Sequence, residues 1–221
     1  MDEGQKLAYE MELKAMNNAT FRDWAVVMDE PKTAKIGSGG STFLCLRFLR
    51  DNHADFEKKK IIIIHSGGYS QRLPIASSLG KAFLTFPNGR MMVDMKVESY
   101  RRVEEAIEDG IVISSSDTLE YFSPDFNFQI DDSDVVLFGH RSTIEVGEQH
   151  GVYILDAKQQ LKRVLQKPSR NEMVENDALI NDRHVNTDSF FILRGASLLN
   201  SLLRIADSFH GSTETQKYLQ I

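Results

Sequence analysis

Residues 61–64 are four consecutive isoleucines, and three residues after them stands the pair Gly67-Gly68. Adjacent β-branched apolar residues without alternation describe a strand covered on both faces, as central strands of parallel sheets are. Gly67 and Gly68 end that strand, and without Cβ atoms they let backbone N–H groups approach an anion closely. Arg72 and Lys81 follow and can neutralise several phosphate charges at once. Each of these residues taken singly fits a surface turn with solvated charges. Together, at the C-terminal end of a buried strand where open α/β sheets place their ligands, they describe a cradle for a nucleoside triphosphate.

Two common phosphate motifs are excluded. A Walker A loop needs glycine five residues before Gly80-Lys81 and Ser or Thr after it, where this chain has Ile75 and Ala82. The dinucleotide fingerprint lacks its third spaced glycine, both at Gly37, Gly39 and Gly40 and at Gly67-Gly68. What remains is Gly-Gly-x-Ser-x-Arg-Leu-Pro followed by Gly-Lys, which resembles the signature of nucleotidyltransferases that couple sugar 1-phosphates to nucleoside triphosphates.

The 221 residues are enough for one substantial core, and a single domain is expected. With a formal net charge of -6 and no basic cluster beyond Lys58-Lys59-Lys60, a nucleic-acid partner is not expected. That lysine run reads as a solvated strand entrance. The one cysteine, Cys45, lies in an apolar stretch, reads as core rather than nucleophile, and fits a reducing compartment. No apolar run approaches the roughly 20 residues of a membrane helix, and with its acidic opening Met1-Asp2-Glu3 does not read as a signal peptide. The expected location is the cytoplasm, with no membrane partner.

Along the chain, an amphipathic helix is expected over 5–17 with Leu7, Met11 and Ala15 on its face, then a short strand over Trp24–Met28. Residues 29–41 read as a loop, with Ser41 or Thr42 capping a helix that carries Phe43 to Leu49. Gly37, Gly39 and Gly40 would then sit at a helix N-terminus, a second natural anion site, with a plain turn as the alternative. One helix is expected over 91–108, then a strand over 110–114 that ends in Ser115-Ser116-Asp117 and places a carboxylate just past its C-terminal end. Further strands are expected at 134–138, 151–155, 161–166 and 188–193, with a closing helix over 196–208. This order predicts an α/β fold with a doubly wound, mostly parallel sheet.

From His65 to Pro74 the chain closely resembles the fucose-1-phosphate guanylyltransferase family, also called GDP-fucose pyrophosphorylases. The likeness extends in order through Lys35 to Thr42, Leu79-Gly80-Lys81, Asp117 with Leu119-Glu120-Tyr121, Gly147 with His150-Gly151-Val152, Lys167-Pro168-Ser169 and Thr187-Asp188-Ser189. It implies a Rossmann-like core of the GT-A type and the reaction of GTP with L-fucose 1-phosphate to give GDP-L-fucose and pyrophosphate, with Mg2+. It also implies roles. Gly67, Gly68, Tyr69, Ser70, Gly37, Gly39 and Gly40 would bind nucleotide, with Arg72 and Lys81 on the phosphates. Asp117, a hard oxygen ligand, would hold the Mg2+. Its plainer alternative is an N-cap over Leu119–Phe122. Lys167 would face the sugar phosphate, the alternative being an exposed strand-end lysine. Asn186 and Asp188 would bind sugar hydroxyls, or merely begin a strand, and His150 joins them as the weakest member.

Gln166 stands where related enzymes often carry Glu before Lys-Pro. The resemblance further implies that residues 23–221, after an N-terminal helical segment at 1–22, form a nucleotidyltransferase domain incomplete at its C-terminus. A weakly active or inactive nucleotide-binding module, and a nucleotidyltransferase for another sugar 1-phosphate, are the competing expectations.

Overall fold

A computed structural model describes residues 3–16, 23–30, 36–66, 76, 80–128, 130 and 133–208. In it the isoleucine run lies in strand β1 (Lys60–His65), which pairs in parallel with β2 (Gly110–Ser115) from Lys60↔Gly110 to His65↔Ser115. The two strands differ in cover. Of the four isoleucines only Ile63 is fully buried, whereas Gly110 to Ser114 of β2 are all buried. The strand covered on both faces is therefore β2.

β1 and β2 belong to the first of two compact units, Met1–Asp134 with Leu193–Ile221. Its first helix, α1 (Glu3–Ala15), buries Tyr9 and leaves Leu7 and Met11 at 58% and 63% exposure, so the expected face is the outer one. Tyr9, Leu13 and Met16 follow the i, i+4, i+7 spacing instead and pack on Ala82, Phe83 and Val93. One aromatic contact outweighs two aliphatic ones here: Tyr9 meets Phe83 edge-on at 5.0 Å between centroids. Residues 24–28 form no strand, and Trp24 is 41% exposed, which removes the packing that gives aromatic residues their strand preference.

Helix α2 (Gly37–Asn52) begins earlier than expected, at the glycines themselves. Ser41 and Thr42 do not cap it. Their hydroxyls bond back to the carbonyls of Gly37 and Ser38 at 3.0 and 2.9 Å, the habit of hydroxyl residues inside a helix. The capping position is Ile36, with no side-chain bond. The single helix expected over 91–108 is two, α3 (Met92–Ser99) and α4 (Arg101–Ala106), turning at Tyr100. Tyr100 is buried, and its hydroxyl donates to Ser114 at 2.9 Å, so tertiary packing bends a segment whose periodicity is continuous. Helix α7 (Ala196–Ser208) closes this unit and buries Leu199, Leu203 and Ala206. Arg50 of α2 reaches Asp207 of α7 at 2.7 Å.

The second unit, Val135–Ile192, carries β3 (Val135–Thr143), α5 (Ile144–Gly147), β4 (Gly151–Leu155), β5 (Leu161–Gln166), α6 (Arg170–Glu175) and nearly all of β6 (His184–Leu193). β4 pairs antiparallel with both β5 and β6, and β3 pairs with β6. The expected parallel sheet is thus mixed, with β1 and β2 paired in parallel and β4 antiparallel to both of its neighbours, and the architecture is mixed α/β. The physical reason is loop length. Residues 156–160 are too few for a parallel crossover and make a hairpin turn, with Asp156 accepting the N–H groups of Lys158 and Gln160 at 2.8 and 2.9 Å. Ile144, Val152, Ile154, Met173, Ala178 and Val185 form the core of this unit. Ser169 and Glu172 close α6 with a reciprocal capping box.

Candidate active site

Gly67, Gly68, Tyr69, Ser70 and Arg72 lie outside the described residues, but both ends of their motif are in view. Lys81 opens a short 3-10 turn, Lys81–Phe83, after Gly80 at φ +76°. Its ammonium donates to Asp117 Oδ2 at 2.8 Å. Asp117 follows β2 by two residues, and its other oxygen accepts the Ser115 hydroxyl. The Lys81 ammonium, and after it the Ser115 hydroxyl, hold the Asp117 carboxyl below the usual carboxylate range. Residues 118–123 adopt no helix, so Asp117 caps none.

Tyr9 ties the ends of the motif together. Its hydroxyl is 2.8 Å from Ser66 Oγ, and a Cβ added to Gly80 would fall on the tyrosine ring and hydroxyl. The glycine is needed twice over, for its positive φ and for this close approach. Gly80→Ala should lower the melting temperature by roughly 5 °C or more, the size expected for overpacking against a buried ring plus backbone strain. Thermal unfolding checks this, and a shift under about 1 °C would show that Tyr9 swings clear at no cost.

The glycines at 37, 39 and 40 occupy the first turn of α2 and do separate things. A Cβ on Gly40 would come within 2.7 Å of Ile36 Cβ, while one on Gly39 would meet nothing. Gly40 is therefore a packing residue and Gly39 an open position at the helix start. Close by, Thr42 Oγ1 is 2.9 Å from His65 Nε2 at the end of β1, and burial pushes the His65 pKa down, so the imidazole is neutral at pH 7. Cys45, on the same helix, has its thiol pushed up to about 11, first by burial and then by Asp29. A thiol so hard to ionise is a poor nucleophile, and Cys45 is half-buried rather than part of the core.

Three of the four residues expected to handle the sugar phosphate meet in the second unit. Asp188 Oδ1 accepts the Gly151 N–H at 3.1 Å and stands 3.7 Å from His150 Nδ1. A Cβ on Gly151 would come within 2.6 Å of that carboxylate, which is why glycine follows His150. Lys167, exposed and at φ +48°, donates its backbone N–H to the His150 carbonyl at 3.0 Å. Asn186 stands two residues before Asp188 and pairs with Tyr153 across β4 and β6.

The residues that sequence reasoning passed over lie behind Asp117. Lys96 of α3, 1% exposed, donates to Glu120 Oε2 at 2.8 Å and to the Thr118 carbonyl at 2.7 Å. Burial tends to lower the Lys96 pKa, and the Glu120 partner works against it. A signal was present. Lys96 sits on the apolar stripe Val93, Tyr100, Val103 of the 91–108 segment, where a charged residue needs a buried partner.

The structure is that of a mixed α/β protein whose parallel strand pair carries, past its C-terminal end, an ionised aspartate against a lysine. The family model of the fucose pyrophosphorylase domain matches residues 53–219, and the chain belongs to that family. It is 35% identical over 197 residues to human fucose-1-phosphate guanylyltransferase, covering 80% of this chain and 32% of the human protein. Identity to the mouse protein of the same name is 34% over 176 residues, or 73% of this chain and 29% of that protein. The L-fucokinase/L-fucose-1-P guanylyltransferase of Bacteroides fragilis is 30% identical over 183 residues, 73% of this chain and 19% of that protein. The chain spans about a third of the length of the human and mouse relatives it matches.

Proposed function

We propose that this chain transfers the guanylyl group of GTP to L-fucose 1-phosphate, giving GDP-L-fucose and pyrophosphate. The observation that carries the reading is the Lys81–Asp117 pair at the end of β2, in a chain of the fucose pyrophosphorylase family whose relatives bear the guanylyltransferase name. A phosphate oxygen of the sugar phosphate attacks the α-phosphorus. The bond from that phosphorus to the β-phosphate oxygen breaks, and pyrophosphate leaves with the electron pair. The nucleophile is already ionised at neutral pH, so no general base is needed, and catalysis reduces to alignment and charge stabilisation.

Lys81 supplies a positive charge to the nucleotide phosphates, together with Arg72, which this reading assigns from the sequence. Asp117 holds Mg2+. Its chemistry fits: the carboxylate is ionised, half-exposed, and keeps spare acceptor capacity beside its two bonds. Among the described residues no cluster of three potential ligands exists, and a nucleotide-borne Mg2+ needs one or two protein carboxylates, the rest being phosphate oxygens and water. Bound there, the ion would neutralise charge on the phosphates. Asp188, Asn186, His150 and Lys167 are assigned to L-fucose 1-phosphate. Residues 23–221 are read as a nucleotidyltransferase domain of the GT-A type, and the enzyme is assigned to the cytoplasm, in keeping with its single cysteine.

Pyrophosphate release should require GTP, Mg2+ and L-fucose 1-phosphate together. Preference for mannose or glucose 1-phosphate would move the chain to another sugar. GTP binding with no release above the rate without sugar phosphate would make it a nucleotide-binding module.

A further inference from the structure

The Lys96–Glu120 pair is buried, at 1% and 8% side-chain exposure, and so is not a solubility feature. Two apolar residues of similar volume stabilise a core as well as a buried ion pair does, or better. What the pair does supply is position. The three protons of the Lys96 ammonium match three acceptors: the Thr118 carbonyl at 2.7 Å, Glu120 Oε2 at 2.8 Å and Thr118 Oγ1 at 3.3 Å. The second oxygen of Glu120 lies 2.9 Å from the Thr118 hydroxyl and 3.4 Å from that of Ser114. Residues 118–123 have neither helix nor strand to hold them. Lys96 is therefore the buried charge that fixes the two ends of the Thr118–Glu120 stretch directly after Asp117, while Arg102 holds the chain farther on at the Ser123 carbonyl.

That lysine stands on the helix that also fixes the other member of the active pair. The Met92 N–H at the start of α3 donates to the Leu84 carbonyl at 2.9 Å, and Leu84 closes the turn that Lys81 opens. One helical turn later, Lys96 pins Thr118. Helix α3 thus bonds to the segments that follow both Lys81 and Asp117.

We propose that Lys96 is a positioning residue that sets the place of the Asp117 carboxylate through Thr118 and Glu120. The inference rests on the reading of Asp117 as the protein's hold on nucleotide-bound Mg2+. Outer-shell partners of metal-binding carboxylates set their orientation, and losing one commonly weakens metal affinity by about 10- to 100-fold.

The test uses the full chain with GTP. The Mg2+ concentration giving half of the calorimetric binding signal is measured for the parent, Lys96→Met, Asp117→Asn and the double variant, and turnover is followed alongside. Lys96→Met should raise the half-saturating Mg2+ by about 10-fold and lower kcat more than it changes KM for GTP. In the Asp117→Asn background it should add little, because both changes remove one function. A Mg2+ requirement shifted by Asp117→Asn but not by Lys96→Met, or two effects that multiply in full, would overturn the positioning role and leave the Asp117 reading standing. No shift with Asp117→Asn itself would overturn both. Should Lys96→Met fail to fold, Thr118→Val decides. That residue is exposed, and removing its hydroxyl should raise the Mg2+ requirement by a smaller factor in the same direction. An unchanged requirement would count against the proposal.

Discussion

Lys81→Ala should lower the rate of pyrophosphate release by about 10²–10³-fold while GTP affinity changes much less, the usual cost of removing one group aimed at developing charge. Lys81 faces a negative partner in the resting chain, Asp117 Oδ2 at 2.8 Å, so its ammonium is already oriented before nucleotide arrives. A charge held in place does not have to reorganise during the reaction, and that is what makes it worth more in the transition state than in the ground state. The substitution should not disturb folding. The pair is partly exposed, at 27% and 46%, and such pairs contribute under about 1 kcal/mol to stability. Steady-state kinetics beside thermal unfolding separate the two effects. A rate within a few-fold of the parent would return Lys81 to the role of an exposed partner for Asp117.

Asp117→Asn should raise the Mg2+ concentration needed for half-maximal turnover by about 10-fold or more and leave the melting temperature nearly unchanged. Asparagine keeps the shape and one acceptor oxygen but not the charge. The carboxyl is held below its ordinary range by Lys81 first, then Ser115. Its stabilising contribution is therefore complete above the ordinary carboxylate pKa of about 4 and is lost only as pH falls through the lower folded value. Between pH 5 and 8 this group is always ionised, so any acid limb of activity in that range comes from elsewhere, the sugar phosphate included. Unchanged Mg2+ dependence in the variant would remove Asp117 from the metal site. A helix cap is no longer an alternative explanation, because no helix follows it.

Much of the fold was legible because it rests on local chemistry. The strands at 151–155 and 161–166 and the helix over 196–208 occur where alternation, turn residues and the 3.6-residue period place them. Asp117 past the end of β2 and Lys81 after Gly80 were likewise readable, since a buried strand that ends in polar residues exposes them at its tip. The buried face of α1 was misread, because Leu7, Met11 and Ala15 have the right spacing and only the partner surface decides that Tyr9 is the one covered. The break at Tyr100 comes from a hydroxyl reaching Ser114, and the antiparallel pairing of β4 with β6 from which strands meet across the fold.

The amino-acid sequence by itself determined the family, the elements with strong local periods and the candidate charged residues around the glycine pair. Only the tertiary structure decided which charges are paired and which polar groups are buried. Tyr9 meets Ser66 across 57 residues, Lys81 meets Asp117 across 36, and Lys96 meets Glu120 across 24. Secondary structure is written in spacings of two to four residues, whereas a hydrogen bond or ion pair forms between whichever groups the packed chain brings within about 3 Å.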